Sequence, residues 1–274
     1  MLLLIGLFIG LILGLTGAGG SVFAVPLLLL LGGLPMSEAT GISLGAVAAT
    51  TIYASMRNRF SRGAPSVMWK PGLILAISGA LTAPLGKWIG MQINELWLIS
   101  SFSLLAVIIA LRMWINAQKN PASAHVVRAG NFADVPSPDH LCTLNPTGQF
   151  ELRPRCVSGL LIGGLAVGIL SGLFGVGGGF LIVPLLLALS AVSMAQAVST
   201  SLFIIALIST SGFISHLALS ETQQWNGLLL VAIGGVFGMI VGQTVSHKIA
   251  NVLLQKIFAV SLLVVALIII ARQI

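Results

Sequence analysis

The residues most able to do chemistry in this sequence are backbone groups, and they occur twice. Gly14-Leu15-Thr16-Gly17-Ala18-Gly19-Gly20, running through Ser21 to Val25-Pro26-Leu27-Leu28-Leu29, returns as Gly172-Leu173-Phe174-Gly175-Val176-Gly177-Gly178, running through Gly179 to Val183-Pro184-Leu185-Leu186-Leu187, at a constant offset of 158 positions. Apolar runs flank both clusters, so each reads as a helix broken by glycine. A break frees N–H groups and aims them, with the positive start of the next short helix, at one point. Such a point suits an anion. The first break adds hydroxyls at Thr16 and Ser21, where the second has Phe174 and Gly179. The candidate ligand-binding residues are therefore Thr16, Gly17, Gly19, Gly20 and Ser21 in the first break and Gly175, Gly177, Gly178 and Gly179 in the second.

Single side chains add to this set. Ser43 and Ser201 are the same residue at the same place in the two halves, and each is a candidate for the same site. Lys87 follows Gly86 in an apolar stretch and could counter a substrate's charge; the competing role is snorkelling to the headgroups. Gln243 is a polar residue in a glycine-rich span and a candidate for lining a path. Arg57 and Arg59 read as topogenic charges, Asn58 and His216 as capping or interfacial groups, and Glu38 as an interfacial acid.

The elements that must position these residues are membrane helices. Mean hydropathy is +1.08, with 57% of residues hydrophobic and 7% charged; a soluble domain carries roughly 25% charged residues. Lipid is the solvent for most of this chain. The net charge of +7 then reads as the basic excess of cytoplasmic loops rather than as a nucleic-acid surface. The leading apolar segment is expected to belong to the mature fold rather than to a signal peptide, because its counterpart recurs in mid-chain.

Leu2 to Leu15, with Gly6, Gly10 and Gly14 on one face, spans only about 20 Å as a helix, and Ser21 to Leu31 is a second short run. Gly6, Gly10, Gly164 and Gly168 read as close helix packing. Full spans are expected at Ser37 to Met56, Pro71 to Gly90 and Leu96 to Trp114. The second half repeats the plan with Ser158 to Leu173, Phe180 to Leu189, Ala195 to Ser215, Asn226 to Ser246 and Val252 to Arg272. Trp225, Gly235 and Gly242 answer Trp69, Gly79 and Gly86, now at an offset of 156. The expected domains are a first transmembrane repeat over 1–116, a cytoplasmic linker over 117–157 and a second repeat over 158–274. Cys142 and Cys156, both in the polar linker region, are expected to be free thiols.

Charge bears on the geometry. The loop from Arg57 to Lys70 holds four basic residues and no acid, whereas its counterpart from His216 to Trp225 holds Glu221 and no lysine or arginine. Swapped charge at matched loops is what inverted repeats predict; Arg272 argues the other way. The fold expected is an all-α polytopic membrane protein of two homologous, inverted halves, each with a glycine-broken helical hairpin plus three full spans. Glycine-broken helices in corresponding positions of two halves point to a transporter's binding site.

Other chemistries fit poorly. No strand precedes the glycines and no acid follows at dinucleotide-fold spacing, nor does a phosphate-loop Lys-Ser or Lys-Thr. His125, His140 and the cysteines match no metal-ligand pattern. No paired acids or activated nucleophile lie in the spans, so neither an enzyme nor a cofactor is expected.

The paired breaks, each leading into Val-Pro-Leu-Leu, the Gly175-Val176-Gly177-Gly178-Gly179 element and the Arg62-Gly63…Trp69 loop end resemble the TauE/SafE family of sulfite exporters and sulfonate permeases. The resemblance covers both hydrophobic halves and leaves out Asn116 to Arg155. It implies a multi-pass transporter of the bacterial inner membrane that moves sulfite, organosulfonates or related sulfur anions, with the 57–70 loop and the 117–157 linker cytoplasmic. Val67-Met68 and Gln223-Gln224 stand where the family often carries an acid before the tryptophan. The expected partners are the lipid bilayer, a small sulfur oxyanion or sulfonate and a coupling proton or sodium ion, with no nucleic acid. A channel-like anion pore, or a carrier of another small organic anion, is the alternative.

Overall fold

The computed structural model describes residues 1–17, 19–60, 67–119, 154–189, 194–219 and 225–246, together with 260–261, 263–264 and 267–268. These residues are helical, joined by short turns. Helix α1 (Leu2–Thr16) leads through a 3-10 turn (Gly19–Phe23) into α2 (Ala24–Leu30). Helices α3 (Met36–Phe60), α4 (Trp69–Gln92) and α5 (Glu95–Lys119) complete the first half. The second half holds α6 (Pro154–Phe174), α7 (Gly179–Leu189), α8 (Met194–Leu219) and α9 (Trp225–Ser246). The body of the expected linker and most of the expected Val252 to Arg272 span lie outside the described residues. Cys156 corrects one expectation, being buried and disulfide-bonded rather than a free thiol; Cys142 is outside the described residues.

Among the described helices, five are long and apolar enough to cross a membrane: α3, α4, α6, α8 and α9. Their outer faces are apolar, as a lipid solvent requires. Leu73, Ile77, Leu81, Leu85 and Trp88 form such a face on α4, and Leu229, Ile233, Phe237 and Val241 one on α9. Helix α3 is the most enclosed of the five, with 72% of its apolar window buried against 39% for α6 and α9. It is also rich in hydroxyls, and Thr40, Ser43, Thr50 and Thr51 are all buried. Polarity faces inward because inside the protein a hydroxyl finds an acceptor, which lipid does not offer.

Glycine sets which helices meet. Gly6, Gly10 and Gly14 of α1 lie on the backbone of α9 at Val231, Gly235 and Met239 to Gln243. Gly164, Gly168 and Gly172 of α6 lie on α4 at Leu75 to Ser78, Gly79 and Ala83 to Lys87. A side chain at these positions would occupy the space of the neighbouring carbonyls, so glycine is what allows the contact. In both pairs the residue numbers rise together, so the helices run parallel.

The contacts exchange between halves. α1 packs on α9 as α6 packs on α4, and α3 packs on α9 as α8 packs on α4. Helices α3 and α8, counterparts of each other, also pack together, and they do so antiparallel: Gly41 lies under His216, and Leu44 meets Gly212 further along. This antiparallel packing is compatible with inverted halves. The second glycine break turns the chain back as a hairpin, since Gly178, Leu185 and Leu189 meet Val167, Gly163 and Gly159 in descending order along α6. The ends of α3 (Arg57, Arg59) and α5 and the starts of α4 (Lys70) and α6 (Arg155) therefore share one end of the bundle. Glu38 and Glu95 lie at the other.

Candidate functional site

The second break is assembled against the first half. Gly175, Gly177 and Gly178 have φ of 70°, 72° and 69°, the left-handed region that other residues avoid. Gly175 lies against Thr40 of α3, and the Ser43 hydroxyl donates to the Gly175 carbonyl at 2.6 Å. Gly177 lies between Val47 and Ser209, midway along α3 and α8. The break is thus at mid-depth of the helix bundle, covered by protein, where backbone freed from a helix is tolerated.

One cation stands beside it. Lys87, on the last turns of α4, is only 4% exposed, so it points into the protein rather than out to the headgroups. Its Nζ donates to Thr40 Oγ1 at 2.9 Å and to the Ser37 carbonyl at 3.4 Å. Thr40 in turn donates to the Ser37 carbonyl at 2.8 Å. Both partners of the ammonium are neutral. Beside it lies a cavity of about 220 Å³ lined by Met36, Ser37, Thr40, Lys87, Glu95 and Leu173, among others. The carboxylate of Glu95 is engaged with the Met36 N–H at 2.7 Å.

The first break is assembled in the same way against the second half, with different chemistry. Gly17, with φ of 81°, lies against Val198 of α8, the counterpart of Thr40. Gln243 of α9, the counterpart of Lys87, is half-buried with its backbone against Gly14. Ser201 donates to its own helix at the Val198 carbonyl, 2.8 Å away. The Thr16 hydroxyl likewise turns back, to the Ile12 carbonyl at 2.8 Å. Gly20 packs on Ile12 and Leu13, and Gly19 opens the 3-10 turn. Ser21 is fully buried and, like Gln243, already holds an interaction.

The sequence candidates thus fall into two clusters, one per break. The second break gathers Gly175, Gly177, Gly178 and Gly179 with Ser43 and, through Thr40, Lys87. The first gathers Thr16, Gly17, Gly19, Gly20 and Ser21 near Ser201 and Gln243. The 3-10 turn of the first break touches α7, so the two hairpins meet. The candidate site residues read from the sequence did not include Ser37, Thr40, Ser171 or Ser209. Thr40 was legible in principle, because one repeat offset relates it to Val198, a polar-for-apolar exchange at a matched position. His216, read from sequence as interfacial, is instead buried over Gly41.

The comparisons with known proteins agree on one class. The family described as "Sulfite exporter TauE/SafE" matches residues 2–269. A "Probable membrane transporter protein" of Xylella fastidiosa (strain Temecula1) is 30% identical, covering 98% of this chain and 93% of that protein. The "Probable membrane transporter protein YunE" of Bacillus subtilis is 26% identical over 97% and 94%. The "Probable membrane transporter protein MJ0441" of Methanocaldococcus jannaschii is 25% identical over 95% and 92%. No solved structure matches this chain.

Proposed function

The chain belongs to the TauE/SafE family of membrane transporters, and from that premise we propose that it is a secondary transporter that moves sulfite, an organosulfonate or a related sulfur anion across the bacterial inner membrane. The observation that carries the anion reading is Lys87. It is a buried ammonium next to the second break, and its partners Thr40 and Ser37 are neutral. Among the described residues no carboxylate pairs with it. Burying a charge without a paired counter-charge is costly; the Glu95 carboxylate across the cavity is engaged with the Met36 N–H, and an anionic substrate supplies the ammonium's direct partner during the transport cycle. An ionisable group inside a membrane protein is retained for such a purpose.

A mechanism consistent with this geometry is proposed with it. The anion enters the cavity beside Lys87, exchanges water for the ammonium and moves to the second break at mid-depth. The N–H groups of the break and the start of α7 receive it there. The two hairpins meet, so a rocking of one half against the other exposes the break to alternate sides. Positive-inside bias places the end with Arg57, Arg59, Lys70 and Arg155 in the cytoplasm and the Lys87 cavity on the opposite face. Coupling to a proton or sodium gradient completes the cycle.

The test is exchange in proteoliposomes. Saturable uptake of a labelled sulfonate, accelerated by unlabelled sulfite or sulfonate on the far side, is expected. Flux that neither saturates nor shows counterflow overturns the carrier reading. Flux unaffected by Lys87→Gln overturns the anion role of the ammonium.

A further inference from the structure

Four buried side-chain polar atoms lack a hydrogen-bond partner among the described residues: an Arg57 nitrogen and the hydroxyls of Ser103, Ser171 and Ser209. Two of these, Ser171 and Ser209, flank the second glycine break, and both residues are 0% exposed. A serine or threonine in a helix ordinarily donates back to a carbonyl three or four residues earlier. Thr50, Thr51, Ser78 and Ser201 all do so here. Ser171 and Ser209 do not.

The first break has no such pair. The counterpart of Ser171 is Leu13. The counterpart of Ser209 is Thr51, whose hydroxyl is engaged with the Val47 carbonyl at 2.6 Å. Open hydroxyls are therefore a property of the second break and not of the repeated fold.

Their placement is specific. Ser209 Oγ stands 2.7 Å from the point where a Cβ on Gly177 would lie, and Ser171 Cβ stands 3.6 Å from the same point on Gly178. The two serines thus reach consecutive residues of the break from different helices, α8 and α6. The start of α7 supplies a third direction. Leu181 and Ile182 already donate to the Gly178 carbonyl, which leaves the N–H groups of Gly179 and Phe180 as the open end of that helix.

We propose that Ser171 and Ser209, together with the open start of α7, hold the head group of the transported anion at mid-depth, and that this donor set selects a three-oxygen head over a planar carboxylate. The proposal rests on the reading of the second break as the substrate site. Donors from three elements flank the break, and a head with oxygens pointing in three directions answers more of them than a planar one. A carboxylate offers two oxygens in one plane and leaves a buried donor unanswered, which is where discrimination comes from. The donors are all neutral, and the charge is balanced by Lys87 and the helix start.

The test uses the full chain in detergent, with methanesulfonate and acetate as probes, titrated by calorimetry and by thermal shift. The unsubstituted protein is expected to bind methanesulfonate in preference to acetate. Ser171→Ala and Ser209→Ala are each expected to weaken methanesulfonate binding about tenfold, and the double variant to abolish it. The ligand-free melting temperature should stay the same or rise, because each change removes a buried hydroxyl that has no partner. A double variant that keeps the affinity of the unsubstituted protein overturns the proposal. Affinity and ligand-free melting temperature falling together also overturns it, since that marks a packing role. Equal affinity for acetate overturns the head-group selection. Lys87→Gln separates the two levels: if it loses binding while the serine variants do not, the anion site stands and the serine assignment falls. Absence of methanesulfonate binding to the unsubstituted protein overturns both.

Discussion

The Nζ of Lys87 lies 2.9 Å from Oγ1 of Thr40, and the residues at the corresponding positions of the other half are Gln243 and Val198. A repeated fold has therefore been made chemically one-sided. The two breaks share backbone geometry at Gly17 and Gly175, but a cation and its hydroxyl partner stand beside only one. A carrier of an anion needs one strong station and a second, weaker surroundings past which the ion can leave.

Lys87→Gln is accordingly expected to lower substrate affinity by about ten- to a hundredfold, the loss of a charge-assisted contact worth about 1.5–3 kcal/mol. The folded protein should be as stable or more so, because a buried ammonium without a counter-charge is removed. Titration of the variant with a sulfonate, beside its melting curve, checks both. A large fall in melting temperature with unchanged affinity would make Lys87 a structural residue.

The matched serines give a second contrast. Ser43 donates across to the Gly175 carbonyl, whereas Ser201 donates within its own helix. Ser43→Ala leaves a carbonyl of the break unpaired inside the protein, and the interhelical bond it removes is worth about 0.6 kcal/mol on average and up to about 1.7 kcal/mol in a membrane protein. Ser201→Ala removes a local bond whose acceptor keeps its helical partner and should be close to neutral. Unfolding of the two variants in parallel measures the difference, and equal effects would mean that Ser43 does not fix the break.

Much of this architecture was legible in the sequence because lipid imposes simple rules. Hydropathy marked the spans, and the constant offset marked the matched breaks. The glycine spacing of α1 and α6 foretold faces that admit a neighbouring backbone. What was not legible was partnership across halves. Nothing local to Thr40 says that Lys87, 47 positions on, will bond to it. Nothing local to Ser171 or Ser209 says that these hydroxyls, unlike those of Thr50, Thr51, Ser78 and Ser201 in similar helices, will lack an acceptor. Those facts arise from which helix the glycines bring alongside, and a one-dimensional pattern does not encode that choice. Thr16 shows the opposite limit: it was expected to face a ligand, and its hydroxyl closes on Ile12 because a helical threonine has that acceptor within reach.

Gly177 and Gly33 separate backbone strain from site geometry. Both have positive φ, 72° and 62°. A Cβ on Gly33 would meet nothing within 4 Å, so Gly33→Ala meets only the left-handed penalty of about 1–2 kcal/mol. Gly177→Ala meets the same penalty and also places its methyl 2.7 Å from Ser209 Oγ and 3.0 Å from a Val47 methyl. Both variants should lose stability, Gly177→Ala more, and only Gly177→Ala should lose transport. Transport by Gly177→Ala in proportion to its folded fraction would make that glycine a packing element alone.

Orientation in the membrane can be read at the short turn between α4 and α5. Ile93 and Asn94 follow α4 at the end opposite Arg57 and Arg59, so the proposed topology exposes Asn94 on the periplasmic face. Asn94→Cys, in a background with Cys142→Ser and Cys156→Ser, should be labelled by a membrane-impermeant maleimide on intact cells, and Arg59→Cys only after the membrane is opened. Labelling of Arg59→Cys from outside would reverse the orientation and put the Lys87 cavity on the cytoplasmic face.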